Sequence, residues 1–205
     1  MSSFNTEKLI AGILDVAEKK DMPVIGIDGL GGAGKSTIAD SVKECLEAKG
    51  HNVILLHIDD FIFQRSIRYN DAYPQWECYY DLQWRYNYFI GIISLIKSRE
   101  ESKIRVDLYD KNTDCFEPED LAITDNTVIV VEGIFLQRKE LRSLFDLVAY
   151  IDVPEEERLR RVLERDKYIG SEDDIRQKYE ERYFPAERHY TSKFSPKANA
   201  DIVIS

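Results

Sequence analysis

Five stretches of the chain carry apolar side chains on consecutive positions, and polar or amphipathic segments separate them. Val24-Ile25-Gly26-Ile27-Asp28 is the first, with Pro23 before it. Val53–Ile58, Thr127–Val131 and Leu147–Val153 follow, and Ala200–Ile204 is a short last run. Runs this short, apolar on both faces, predict buried strands. Helical spacing fills the gaps. Leu9, Ile10, Ile13, Leu14 and Ala17 mark one face of a helix over Thr6–Lys20, capped by Asn5 or Thr6 and packed on the sheet. Ile38–Ala48 predicts a second helix, closed by Gly50. Trp84, Tyr88, Ile92 and Leu95, with Phe89, Ile93 and Ile96 beside them, predict a third. Arg138–Leu144 reads as a short helix. Pro154 opens another, with Glu155, Glu156 and Glu157 in its first turn. Ser171-x-x-Asp174 starts a helix through about Arg182, and Pro185 interrupts the pattern after it. Ile104–Tyr109 alternates as a strand, Asp110–Asp114 turns, Cys115–Glu117 returns as a hairpin, and Pro118–Asn126 is a polar connection. Strands alternating with helices predict a three-layer α/β fold: a parallel sheet of about five strands with helices on both faces.

The length of 205 residues suits one α/β domain over residues 1–205, and 43% apolar with 32% charged residues is a globular balance. The formal net charge of −10 argues against a nucleic-acid surface, so the expected partner is a small molecule. The first residues lack a basic segment followed by an apolar core, and no apolar run reaches transmembrane length; a cytoplasmic protein without membrane contact is expected. Cys45, Cys78 and Cys115 are widely spaced and odd in number, so neither a disulfide framework nor a zinc site is expected. The oligomeric state stays open, a homo-oligomer included.

The chemistry concentrates in Gly29-Leu30-Gly31-Gly32-Ala33-Gly34-Lys35-Ser36-Thr37, which fits G-x-x-x-x-G-K-[ST] between a predicted strand and a predicted helix. Glycines let backbone N–H groups approach phosphate oxygens, and the helix N-terminus adds positive potential at the same place. Lys35 suits the β- and γ-phosphates of a nucleoside triphosphate such as ATP, and the Ser36 hydroxyl suits Mg²⁺. Other acids also stand at predicted strand ends, where ligands gather in open α/β sheets: Asp59 and Asp60 after the second strand, Glu132 after the third. Asp59 and Asp60 are candidates for a catalytic base or a metal ligand. Tyr69–Tyr88 is dense in aromatics. Its first part, Tyr69 to Asp81 with Tyr79, is divided between lining a pocket and filling the core, and Asp81 is a candidate for holding hydroxyl groups. The arginines from Arg158 to Arg165 form either a solvated face or a set that closes over a transferring phosphoryl group.

Together these segments resemble the uridine kinase and phosphoribulokinase group of P-loop kinases, from about Pro23 to Ile204. The likeness rests on Gly29–Thr37, Asp59-Asp60-Phe61, Tyr109-Asp110, Glu132-Gly133-Ile134, Tyr150–Val153, Arg165-Asp166, Tyr179, Pro185-Ala186 and Ala200–Ile204. The resemblance implies Asp59 as base toward an acceptor hydroxyl, with Asp60 the alternative if the register shifts by one. It implies Glu132 near Mg²⁺, Tyr109 and Asp81 beside the acceptor, and Arg161 and Arg165 on the nucleotide phosphates. It also implies an acceptor-binding lobe over about residues 69–120. A P-loop NTPase switch without a small-molecule acceptor is the alternative. Two departures bear on the acceptor. No histidine follows Tyr109-Asp110, and no Arg-Gly-Arg follows Arg165-Asp166. With Asp81 and Asp114 nearby, a neutral hydroxylated acceptor is expected, with poor activity on uridine, unless an arginine such as Arg68 or Arg85 intervenes.

Overall fold

The computed structural model describes residues 3–205, with side chains from residue 7 onward. Five strands form one parallel sheet in the order β2-β5-β1-β6-β7: β1 Val24–Gly29, β2 Asn52–His57, β5 Thr127–Gly133, β6 Leu147–Ile151 and β7 Ile202–Ile204. Every residue of β1, β5 and β6 is buried, which explains their unbroken apolar runs. Side chains alternate between the two faces. Ile25, Ile27, Val128, Val130 and Ala149 pack against α1 (Ser3–Lys19) and α2 (Lys35–Ala48). Val24, Ile129, Val131 and Val148 face the other layer, which includes α3 (Tyr86–Ser98) and Phe135. The expected cap at Asn5 or Thr6 lies outside the described side chains.

The remaining two strands, β3 (Lys103–Asp110) and β4 (Cys115–Ala122), make an antiparallel ribbon pairing Tyr109 with Phe116 and Asp107 with Pro118. The returning strand therefore runs well past Glu117. Pro118 is tolerated because each strand of a two-stranded ribbon has a free edge where a missing N–H costs nothing. On α3 the buried face is Phe89, Ile92, Ile93 and Ile96, whereas Leu95 is half exposed. Trp84 lies before the helix, in a bridge to Ile62.

Two predicted helices take a different form. Arg138–Leu144 is a series of tight turns with a single 3₁₀ turn at Arg142–Leu144. Phe135 and Leu136 are fully buried there, with Phe135 at φ 66°, so the chain doubles back instead of coiling. After Ser171, whose capping box with Asp174 is present, α5 (Glu172–Lys178) widens into a π turn at Tyr179–Tyr183 and resumes as α6 (Phe184–Phe194). Pro185 thus occupies a helical first turn, where its missing N–H is harmless, and it starts a helix where an interruption was expected. Between β6 and α5 lies α4 (Glu155–Arg165), with Pro154 at its N-cap.

Gly133, the last residue of β5, has φ 157°, and a Cβ there would come within 2.0 Å of Ile58 Cγ2. This contact brings the turn after β2 against the end of β5. We expect Gly133→Ala to cost about 1–3 kcal/mol of stability through overpacking. Gly91→Ala, on an open face of α3 with nothing within 4 Å, should gain roughly 1 kcal/mol. Urea unfolding of both variants checks the pair.

Candidate active site

The phosphate loop joins β1 to α2. Gly34, at φ 89°, is the residue before the helix. The N–H groups of Lys35, Ser36 and Thr37 in the first turn have no intrahelical acceptor, so they are available to an anion. Gly32, at φ 78°, passes beneath α4: a Cβ there would lie 2.8 Å from the Arg158 carbonyl oxygen and 2.9 Å from Val162 Cγ1. Lys35 Nζ donates to the Leu30 carbonyl at 3.2 Å, folded over its own loop. Arg161 lies against the same loop, with Nη1 3.4 Å from the carbonyls of Gly32 and Ala33 and Nε on Glu157. Arg165 is largely exposed and grips Asp166 with Nε and Nη2, at 2.7 and 3.1 Å.

Parallel pairing sets His57 of β2 opposite Glu132 of β5. Glu132 Oε1 accepts from His57 Nδ1 at 2.7 Å and from Ser36 Oγ at 3.1 Å. Burial works to raise the Glu132 carboxyl, but the His57 hydrogen bond and the Lys35 charge outweigh it and hold it below the ordinary range. Just past β2, a 3₁₀ turn over Ile58–Asp60 presents two more acids. Asp59 keeps solvent-accessible surface yet is crowded by protein atoms. Desolvation, then the Glu132 charge, pushes its carboxyl up against the pull of Lys35, Arg165 and His57. Asp60 is pushed up to about 6, chiefly by desolvation, with His57 opposing. Asp60 borders a separate cleft of about 300 Å³ with Asp40, Lys43 and Glu119, beneath the β3–β4 ribbon. Lys35, Asp59, Glu132 and Ser36 thus form one electrostatic group, with Asp60 at its edge.

The loop has a support that the sequence reading missed. Glu187, buried on α6, accepts from the Gly31 N–H at 2.8 Å and pairs with the buried Arg158 at 2.9 Å. Arg158 also donates to the Gly31 carbonyl at 2.9 Å. Asp28, fully buried at the end of β1, accepts from the Gly29 N–H at 2.9 Å, Gln137 Nε2 at 3.0 Å and the Tyr190 hydroxyl at 2.5 Å. Burial pushes the Asp28 and Glu187 carboxyls up, against these partners. A charged residue closing an apolar strand and a glutamate two positions after Pro185 were the only signals available, and neither names its partner.

On the acceptor side, Tyr79 is buried among Trp84, Phe135 and Tyr183, with its hydroxyl pushed well up by burial and next by the Asp59 charge. It is part of the core. The Tyr109 hydroxyl donates to Asp114 and accepts from Arg68 Nη2, both at 2.8 Å. Arg68 thus stands beside Asp114, with Tyr109 joining them, while Asp81 lies elsewhere. Arg85 instead lies 4.0 Å from the rings of Tyr88 and Phe116 on the ribbon. The π turn Cys78–Leu82 turns Tyr79 and Tyr80 inward and leaves Asp81 exposed, 3.3 Å from Arg138.

Among the described residues no three acidic, imidazole or thiol groups converge as a self-contained metal cage. Ser36 Oγ with the carboxylate of Glu132 is instead an oxygen donor pair that fits Mg²⁺, a hard cation that keeps waters and takes its other ligands from substrate phosphates. No helix is long and apolar enough to cross a membrane among the described residues.

A phosphate loop beside carboxylates at the ends of neighbouring parallel strands defines the nucleotide site of a P-loop NTPase fold. The model of the Phosphoribulokinase / Uridine kinase family matches residues 24–205. A uridine kinase of Staphylococcus haemolyticus is 33% identical over 144 residues, covering 70% of this chain and 68% of that protein. One of Bacillus pumilus is 29% identical over 88% of this chain and 85% of its own. A solved structure described as a possible uridine kinase from Bacillus stearothermophilus is 30% identical, with TM-score 0.74 over 97% of this chain and all of that one. The chain belongs to the phosphoribulokinase and uridine kinase family, and it is a phosphotransferase with an alcohol group as acceptor.

Removing one partner of a buried ion pair leaves the other charge stranded. Glu187→Gln should therefore destabilise the protein by about 3–5 kcal/mol and weaken ATP binding through the loosened Gly31. Urea unfolding with and without ATP, followed by nucleotide titration, measures both effects.

Proposed function

We propose that this kinase transfers the γ-phosphoryl group of ATP to a hydroxyl of a small metabolite bound between the phosphate loop and the lobe over about residues 69–120. The observation that carries the reading is that Ser36 of the phosphate loop is hydrogen-bonded to Glu132 at the end of β5, and that the charges of Glu132 and Lys35 both bear on Asp59. Within this reading residues 1–205 work as one P-loop kinase unit. The loop from Gly29 through Thr37 cradles the triphosphate. Lys35, released from Leu30, neutralises the β- and γ-phosphates, and Arg161 and Arg165 approach them from α4. Ser36 and Glu132 would hold Mg²⁺, which neutralises charge on the phosphate oxygens when bound. Asp59 accepts the proton of the attacking hydroxyl, its carboxyl raised by desolvation and then by the Glu132 charge, which makes it a better base than an ordinary aspartate. Tyr79 and Tyr109 wall the acceptor side. Asp81 acts on acceptor hydroxyls only if it parts from Arg138, which makes it the weakest of these roles. Positioning and charge stabilisation supply the rate.

Acceptor-dependent ATP turnover is the direct test. ATP consumption should rise on addition of hydroxylated metabolites, and Lys35→Ala should abolish the rise while the protein stays folded. Hydrolysis indifferent to every acceptor but stimulated by a protein would identify a nucleotide switch instead. Asp59→Asn should lower kcat by about 10²–10⁴-fold with ATP binding nearly intact. Asp60→Asn should be milder, because Asp60 faces the neighbouring cleft. Steady-state kinetics with nucleotide titration separates the two acids.

A further inference from the structure

Strand alternation brings three polar side chains together on one face of the sheet. Val128 and Val130 of β5 pack on the side of α1 and α2, as do Val53 and Leu55 of β2. Two positions further along each strand, Glu132 and His57 keep that side by the period of two, and register sets them opposite each other. Ser36, in the first turn of α2, meets them there. The buried Glu132 carboxylate uses its two oxygens unequally. Oε1 takes both donors, His57 Nδ1 at 2.7 Å and Ser36 Oγ at 3.1 Å. No hydrogen bond or ion pair among the described residues reaches Oε2.

His57 is not core filler. Its side chain is 36% exposed, at the border of the cleft beneath the ribbon, and among the described residues its ring has no hydrogen-bond partner besides Glu132. An ionised carboxylate only accepts, so Nδ1 carries the hydrogen. A short bond to a charged acceptor resists rotation of the carboxylate. How many oxygens that carboxylate can offer matters to a cation. Ca²⁺ readily takes both oxygens of one carboxylate into a large, flexible shell, whereas Mg²⁺ demands a near-ideal octahedron.

We infer that His57 is a positioning residue that sets the metal preference of the nucleotide site: by holding Oε1 it restricts Glu132 to one free oxygen, Oε2, and so favours a small octahedral cation over Ca²⁺. This rests on the kinase reading above, in which Ser36 and Glu132 hold the metal that accompanies the triphosphate. Ser36 gives its hydrogen to the same Oε1 and keeps its lone pairs for the cation. Without the imidazole, Oε1 retains only the longer of its two hydrogen bonds, and the carboxylate is free to swing and offer both oxygens.

Metal binding to the whole protein with a non-hydrolysable ATP analogue tests this without turnover. Bound Mn²⁺, standing in for Mg²⁺, is counted by electron paramagnetic resonance while Ca²⁺ is titrated against it. His57→Ala should lower the preference for Mn²⁺ over Ca²⁺ about tenfold, the low end of what the partners of metal-ligating side chains are worth. His57→Asn, whose amide can donate to Oε1 from nearly the place of Nδ1, should keep most of the preference. Binding of the analogue without metal should be alike in all three proteins. Charge on the ring acts on both divalent ions alike, and so does a general loosening of the strand end, so the ratio isolates the hold on Glu132. If His57→Ala fails to fold, His57→Leu, which keeps bulk but donates nothing, takes its place. A ratio unmoved in the variant that lacks a donor, or a ratio no better in His57→Asn than in that variant, overturns the inference and leaves the kinase reading intact. ATP consumption that no acceptor raises would instead remove the kinase reading itself.

Discussion

The buried pair of Glu187 and Arg158 is the constraint on which the nucleotide side of this protein depends. A phosphate loop presents donors to its ligand and so satisfies few of its own polar groups. Here Glu187 takes the Gly31 N–H and Arg158 takes the Gly31 carbonyl, so the loop's middle is anchored through one peptide unit on each side. Beneath it Asp28 ties β1 to Gln137 and Tyr190. Preorganised donors are worth more than donors that must be ordered on binding, because no reorganisation is needed when charge develops. The brace holds Gly32 under α4 and leaves the first turn of α2 open.

The opposite wall follows from sheet geometry. Register places His57 beside Glu132, Gly133 admits Ile58, and the turn that follows presents Asp59. Charges on both sides then share one field, in which Asp59 is lifted and Glu132 is depressed. Two carboxylates near one lysine acquire different proton affinities because their surroundings differ: one collects hydrogen bonds from His57 and Ser36, the other is desolvated beside a like charge.

Much of this could be read from the chain. The strands were legible because a parallel sheet covered on both faces demands unbroken apolar runs, as in Val128–Val131. The phosphate loop was legible because its spacing is dictated by a ligand of fixed shape. Asp59 and Glu132 were legible by their place after strands. Glu187, Tyr190 and Arg182 were not: each belongs to an ordinary-looking helical stretch and acquires meaning from a partner more than a hundred residues away, or nearly so. The turns at 138–144 were misread because burial of Phe135 and Leu136 just before them overrides the local helical pattern. Tyr79 was left between pocket and core, and it is packed in the core.

The span of these contacts bears on how the molecule comes into being. Gly31 and Glu187 are 156 positions apart, and Asp28 and Tyr190 are 162 apart. The loop leaves the ribosome 156 and 162 residues before these supports. Contacts so distant in sequence form late and slowly. A nascent chain therefore carries the nucleotide-binding sequence long before it carries a rigid loop, and the ability to cradle a triphosphate arrives with α6. Loss of that helix would take away the loop's anchorage, and a truncation before it would also strip β7 from the edge of the sheet.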